Sequence, residues 1–202
     1  MNLLVVGAGE MGRWLADTVD ADVAFTDADP AVAEAAAEPR SARAVPTDTD
    51  ESFDAVGLAV PMSVVEAAVT DYAANAEAAI FDISGVMDRP LAAMADHATE
   101  VERASFHPLF APPRVPGNIA VVTAAAGPTL TAIREAMTAA GNTVFETTAA
   151  EHDAAMETIQ AGAHTAVLAY ALVAGDIRTE FATPVSEQLE SLAATVTEGS
   201  PE

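Results

Sequence analysis

Two groups of residues have types and spacing suited to chemistry. The first is the run Leu3 to Gly12, Leu-Leu-Val-Val-Gly-Ala-Gly-Glu-Met-Gly, in which an apolar strand enters a G-x-G-x-x-G turn, and an acid, Asp27, follows twenty residues after the first glycine. Gly7 permits a tight turn and Gly9 lets the backbone approach a pyrophosphate. Gly12 lets the next helix, which opens through Glu10 and Met11, pack close to the sheet with its N-terminal N–H groups facing the phosphates. The context is what a dinucleotide site needs: a strand before the turn, helical spacing from Met11 to Val19, and a second apolar strand, Val23 to Thr26, ending at Asp27. The second group surrounds His107, in Ser105-Phe106-His107-Pro108-Leu109-Phe110-Ala111-Pro112-Pro113-Arg114, just after a predicted strand. An imidazole takes up a proton near neutral pH, and the ends of parallel strands are where α/β folds bind ligands.

Asp27 also bears on the cofactor. Its carboxylate is placed to accept hydrogen bonds from an adenosine ribose, and with Asp29 two residues on and no arginine after the turn until Arg40 except Arg13, a 2′-phosphate would meet negative charge. NAD is therefore favoured over NADP, with the fold left to decide whether Arg40 or Arg43 returns toward that site.

The elements that must position these residues alternate. After the first βαβ unit come a strand at 55–60 ending at Pro61, a helix at 64–74, a strand at 78–83, a helix at 90–97 with Pro90 at its first position, strands at 101–106 and 119–123, a helix at 128–140 and a strand at 144–147. The expected fold is α/β, a Rossmann-like, mostly parallel sheet over residues 1–148, followed by a small all-helical segment at 149–202. That segment opens on Thr148 with Glu151 three residues on, the spacing of a capping box, and runs alanine-rich and without proline to about Arg178; a second helix spans 184–197. So apolar a helix needs cover, and a homodimer is expected to supply it.

The 202 residues are 51% apolar, enough for a real core, and carry a formal charge of −23 from 31 acids against eight arginines and no lysine. Such a balance repels nucleic acid and anionic membrane surfaces. Abundant acids, absent lysine and small core residues match the composition of proteins from salt-loving organisms, where the Debye length falls to about 3 Å at 1 M and self-repulsion is screened. No cysteine is present, and the four scattered histidines give no metal site. No basic leader precedes the first strand and no apolar run approaches the roughly 18 residues of a membrane span, so a cytoplasmic location is expected.

Several motifs, in order and at the same spacings, resemble those of prephenate dehydrogenases: Gly7-Ala8-Gly9-Glu10-Met11-Gly12-Arg13, Ala59-Val60-Pro61, Phe81-Asp82-Ile83-Ser84, His107-Pro108-Leu109-Phe110 and Glu151-His152-Asp153 with Gln160 and His164. The resemblance covers essentially the whole chain. It implies oxidative decarboxylation of prephenate to 4-hydroxyphenylpyruvate, in tyrosine biosynthesis, with NAD held by Gly7, Gly9, Glu10, Met11, Gly12, Asp27, Val60 and Pro61. His107 would take the proton of the ring hydroxyl as hydride leaves the same carbon, and loss of the ring carboxylate would complete aromatisation. Ser84 is the accompanying hydroxyl, although the family's usual serine aligns with Gly85, and its usual lysine is Met87 here. Gln160 and His164, four apart on one helical face, would line the substrate cleft. A dicarboxylate in so acidic a protein needs cations, and Arg114, close after the His107 loop, is the first choice. His152 and Asp153, in the first helical turn, read as structural or capping residues.

Two other readings stay open: arogenate dehydrogenase, whose substrate carries an amino group in place of the keto group, and a non-catalytic NAD-binding or regulatory subunit. Hydroxyacid dehydrogenases share the layout but rely on a catalytic lysine, which this chain lacks.

Overall fold

A computed structural model describes residues 1–112, 114–174 and 181–198, the side chains of Gln160 and of residues 195–198 excepted. The chain divides into two units, Met1–His152 and Asp153–Glu202.

In the first unit, strands β1 (Asn2–Val6), β2 (Asp22–Thr26), β3 (Arg43–Ala44), β4 (Phe53–Leu58), β5 (Ala76–Asp82), β6 (Glu102–Pro108), β7 (Asn118–Ala125) and β8 (Thr143–Glu146) form one sheet in the order β3-β2-β1-β4-β5-β6-β7-β8. Every neighbouring pair is parallel except β6 with β7. The fold is therefore the Rossmann-like, mostly parallel α/β sheet read from the sequence. Helices α1 (Glu10–Thr18), α2 (Pro30–Ala37), α3 (Val65–Tyr72), α4 (Asp88–His97) and α5 (Pro128–Ala139) connect the strands.

Alternation along each strand makes two apolar faces, as expected of a sheet covered on both sides. Leu3, Val5, Phe25, Phe81 and Phe106 form one core with Leu15 of α1 and Leu130, Ile133 and Met137 of α5. Leu4, Val56, Leu58 and Ile80 form the other with Val65 and Val69 of α3 and Met94 of α4. Helix starts are fixed by local chemistry. Asp29 accepts the Ala31 N–H (3.0 Å) with Pro30 at the first position of α2, and the Glu102 carboxylate on β6 accepts the N–H groups of Thr129 (3.2 Å) and Leu130 (2.7 Å) at the start of α5.

Three expectations need correcting. Helix α2 is absent from the sequence reading, because its alanines carry little periodic contrast. Helix α4 begins at Asp88, so Pro90 is its third residue rather than its first. His107 lies inside β6, not after it, because pairing with β7 (His107 opposite Ala120, Pro108 opposite Ile119) carries the strand on to Pro108.

Helix α6 (Ala149–Ala174) contains the division between units, and α7 (Pro184–Glu198) lies in the second. At the start of α6 the Glu151 N–H donates to Thr148 Oγ1 (3.2 Å), while the Glu151 carboxylate accepts from the Thr147 hydroxyl (3.1 Å) in place of the reciprocal capping-box bond. Ile159, Leu172, Val173, Phe181 and Val185 are exposed, Leu172 by 87%. No helix among the described residues is long and apolar enough to cross a membrane.

Candidate active site

Strand order reverses at β1 and β4, and the crevice beyond their carboxyl ends is where ligands bind in open α/β sheets. The first glycine turn closes that crevice. Gly7 has φ +94°, donates its N–H to Thr26 O (2.8 Å), and has no room for a side chain, since a Cβ there would stand 2.4 Å from Ala59 O and 3.3 Å from Val60 Cγ1. Val60 thus lies beside the turn, and Pro61, the next residue, is exposed. Gly12 is tighter: a Cβ would be 1.9 Å from Gly7 O. Gly9 is the opposite case, with nothing within 4 Å of where a Cβ would stand, and it precedes an α1 terminus that has no side-chain cap. Open space at Gly9 beside a helix start, at Glu10 and Met11, that no side chain caps fits a phosphate.

Asp27, at the end of β2, braces this loop. One carboxylate oxygen accepts the Ala8 N–H (2.8 Å) and the other the Asp29 N–H (3.0 Å), leaving lone pairs for ribose hydroxyls. Arg40 and Arg43 do not return toward it. Arg40 closes on Asp17 with two contacts of 2.6 Å, and Arg43 pairs with Glu51 at 2.6 Å.

At the carboxyl ends of β5 and β6 stands the second group. His107 Nε2 faces the Ser84-Gly85 turn, 3.7 Å from where a Gly85 Cβ would be, and Met62 Sδ fills the space above that position at 2.9 Å. The other ring nitrogen, Nδ1, lies 2.7 Å from Nε2 of His152, with the rings edge to face at 4.9 Å. His152 is only 4% exposed and sits in the first turn of α6. Of the structural or capping roles read for it, the fold shows a structural one: it is the hydrogen-bonding partner of His107.

Ser84 turns elsewhere. Its hydroxyl lies 2.5 Å from Asp82 Oδ2 and 3.1 Å from Val86 O, and its N–H donates to the same carboxylate oxygen (2.9 Å). The side chain of Ser84, expected from the sequence to accompany His107 as a catalytic hydroxyl, is thus engaged with Asp82. Asp82 is fully buried, and burial pushes its carboxyl up to about 7, against the opposing pull of the Ser84 hydrogen bonds. One hydroxyl hydrogen cannot serve two acceptors. A neutral Asp82 that donates to Ser84 Oγ frees the Ser84 hydrogen for Val86 O, which agrees with the raised value. Ser105, the register partner of Asp82 on β6, lies near enough to temper the rise, yet neither Ser105 Oγ nor Asp82 Oδ1 has a partner of normal geometry among the described residues.

The arginines sort clearly. Arg40, Arg43, Arg89 and Arg134 are each paired with an acid, and Arg103 donates to the carbonyls of Ala98, Thr99 and Val101. Arg13 and the exposed Arg114 have no acid partner among the described residues, and Arg13 Nε is buried without an acceptor there. Arg114 closes a turn after the His107 strand, its N–H donating to Ala111 O (2.9 Å). His164 is an exposed residue of α6 in the second unit, and the side chain of Gln160 lies outside the described residues.

The sheet order, the glycine turn and the crevice define a Rossmann-like α/β fold of the kind that serves nucleotide cofactors. No protein-family model matches the sequence, and no curated protein matches it. Solved structures do match. Prephenate dehydrogenase from A. aeolicus, in complex with hydroxyphenyl propionate and NAD+, is similar with a TM-score of 0.72 at 14% identity, over 98% of this chain and 86% of that one. Synechocystis arogenate dehydrogenase is similar at 0.71 and 16%, over 98% and 84%. The 1-pyrroline-5-carboxylate reductase of Streptococcus pyogenes is similar at 0.63 and 14%, over 98% and 78%. At these identities what is shared is the fold.

Proposed function

We propose that this chain is a nicotinamide-dinucleotide-dependent dehydrogenase that decarboxylates prephenate oxidatively to 4-hydroxyphenylpyruvate. One observation carries the reading: His107 presents Nε2 over the Gly85 turn at the carboxyl edge of the sheet while a buried partner holds its Nδ1. The sequence motifs and the shared fold support it.

In this reading Gly7, Gly9, Glu10, Met11 and Gly12 cradle the pyrophosphate, Asp27 accepts from the adenosine ribose, and Val60 and Pro61 flank the glycine turn. NAD is preferred to NADP, because Asp27 and Asp29 present negative charge and Arg40 and Arg43 are closed on acids. When bound, the nicotinamide supplies a hydride acceptor. His107 Nε2 accepts the proton of the substrate's ring hydroxyl, and Arg114 meets a carboxylate in a field otherwise hostile to anions. Loss of the ring carboxylate as CO2 restores aromaticity, so the chain's own tasks are orientation, deprotonation and charge recognition. The exposed apolar side chains of the second unit support a homodimer as the working assembly.

The test is turnover of prephenate with NAD in molar KCl by the native chain and by His107→Asn, with arogenate and NADP in parallel. Reduction of NAD with prephenate, falling by about 10²-fold or more in the variant, is expected. Turnover of arogenate alone would move the substrate to the amino form. Binding of NAD with turnover of neither would leave a non-catalytic binding subunit.

A further inference from the structure

The 2.7 Å contact between His107 Nδ1 and His152 Nε2 holds a single hydrogen, so one ring donates and the other accepts. Two arrangements satisfy it. If His152 donates, neutral His107 carries its hydrogen on Nε2 and shows an N–H to the Gly85 turn. If His107 donates, its Nε2 shows a lone pair there. Only the second arrangement lets His107 accept a proton from a ligand.

We infer that His152 is a positioning residue that holds His107 in the Nδ1–H form and accepts its hydrogen bond throughout the reaction. The inference rests on the dehydrogenase reading, which requires a base at Nε2. His152 is suited to the task because it is fixed: the residue is 4% exposed, and its backbone N–H closes the first turn of α6 on Thr148 O (2.9 Å). Its placement, 45 residues from His107 in sequence, comes from the fold and not from a local motif. The step balances simply. The substrate hydroxyl gives its proton to His107 Nε2, and the resulting imidazolium keeps its Nδ1–H directed at neutral His152 Nε2, now a charge-assisted bond roughly twice as strong as the neutral one. A neutral imidazole thus does the orienting work that a carboxylate does in serine hydrolase triads, without adding a negative charge where a dianionic substrate must settle.

The experiment is the ring-nitrogen NMR spectrum of the full chain labelled with nitrogen-15 histidine, at about pH 8, above the ordinary histidine value of ~6.5. Four histidines keep the spectrum tractable, and His107→Asn and His152→Gln assign the two that matter. His107 is expected to show a protonated Nδ1 and an unprotonated Nε2. His152→Gln, whose amide oxygen takes the place of Nε2, should retain that pattern, and His152→Leu should lose it. The kinetic counterpart is a kcat lowered about 10²-fold or more in His152→Leu, with KM little changed and partial recovery in His152→Gln. A wild-type His107 with its hydrogen on Nε2, or a His107 pattern indifferent to His152→Leu, overturns the inference. Because the wild-type spectrum needs no variant and no turnover, an inactive chain with His107 in the Nδ1–H form would sink the dehydrogenase reading while leaving the pairing intact.

Discussion

Replacing Asp82 by asparagine should remove a pH dependence that the native fold carries. In the folded chain burial raises this carboxyl to about 7 from its ordinary 3.8. Between those values the native state keeps a proton that the unfolded chain has released. The native state binds more protons, so stability falls as pH rises from about 4 to about 7. A shift of roughly three units is worth about 4 kcal/mol at ~1.36 kcal/mol per unit. Asp82→Asn has no proton to lose, and its amide oxygen can still accept the Ser84 N–H. Any change in hydrogen bonding is constant with pH, so the stability of the variant relative to wild type should climb by about 4 kcal/mol across that window and then level off. Urea unfolding at fixed KCl measures this directly. The single tryptophan, Trp14, is buried against Phe110 in the first unit and reports its unfolding. A difference between the two proteins that stays flat to within about 1 kcal/mol from pH 4 to 7 would refute the reasoning.

The glycines of the first turn should separate folding from binding. Gly12→Ala forces a Cβ against the Gly7 carbonyl and should destabilise the first unit by about 2 kcal/mol or more in urea unfolding, whereas Gly9→Ala, entering open space, should leave the midpoint unchanged and weaken NAD binding about tenfold or more by calorimetry. Arg114→Ala should raise KM for prephenate about 10- to 100-fold, the loss of one charged hydrogen bond, with NAD affinity intact; an unchanged KM would remove Arg114 from the substrate site. Raising KCl from about 0.1 M to about 1 M, which shortens the Debye length from about 10 Å to about 3 Å, should raise the melting temperature of a chain of charge −23, and a temperature that does not rise would show that self-repulsion is not what limits the fold.

Local patterns are the legible part of this molecule. The glycine turn, Asp27 and the alternation of strands and helices depend on neighbours in sequence, and the sheet follows from them with its β7 reversal as the exception. Arrangements made by tertiary contact are not legible. The sequence places His152 at a helix start, where a structural or capping role is the natural reading, and only the fold brings its Nε2 to His107. Ser84 shows the same limit: it turns its hydroxyl into Asp82, while the position opposite His107 Nε2 falls to Gly85 and Met62. Arg40 and Arg43 are ambiguous in sequence because their acid partners, Asp17 and Glu51, are chosen by how α1 and the β3–β4 connection pack. Helix α2 escapes a sequence reading because periodicity is invisible among alanines that are all acceptable on either face.

A decarboxylating oxidation releases reduced NAD and CO2 together, so their simultaneous yield from prephenate in molar KCl is the deciding measurement. Equimolar amounts of the two, both suppressed in His107→Asn, are predicted. Reduced NAD without CO2 would mean a dehydrogenase of a different substrate chemistry, and neither product from a chain that binds NAD would contradict the account outright.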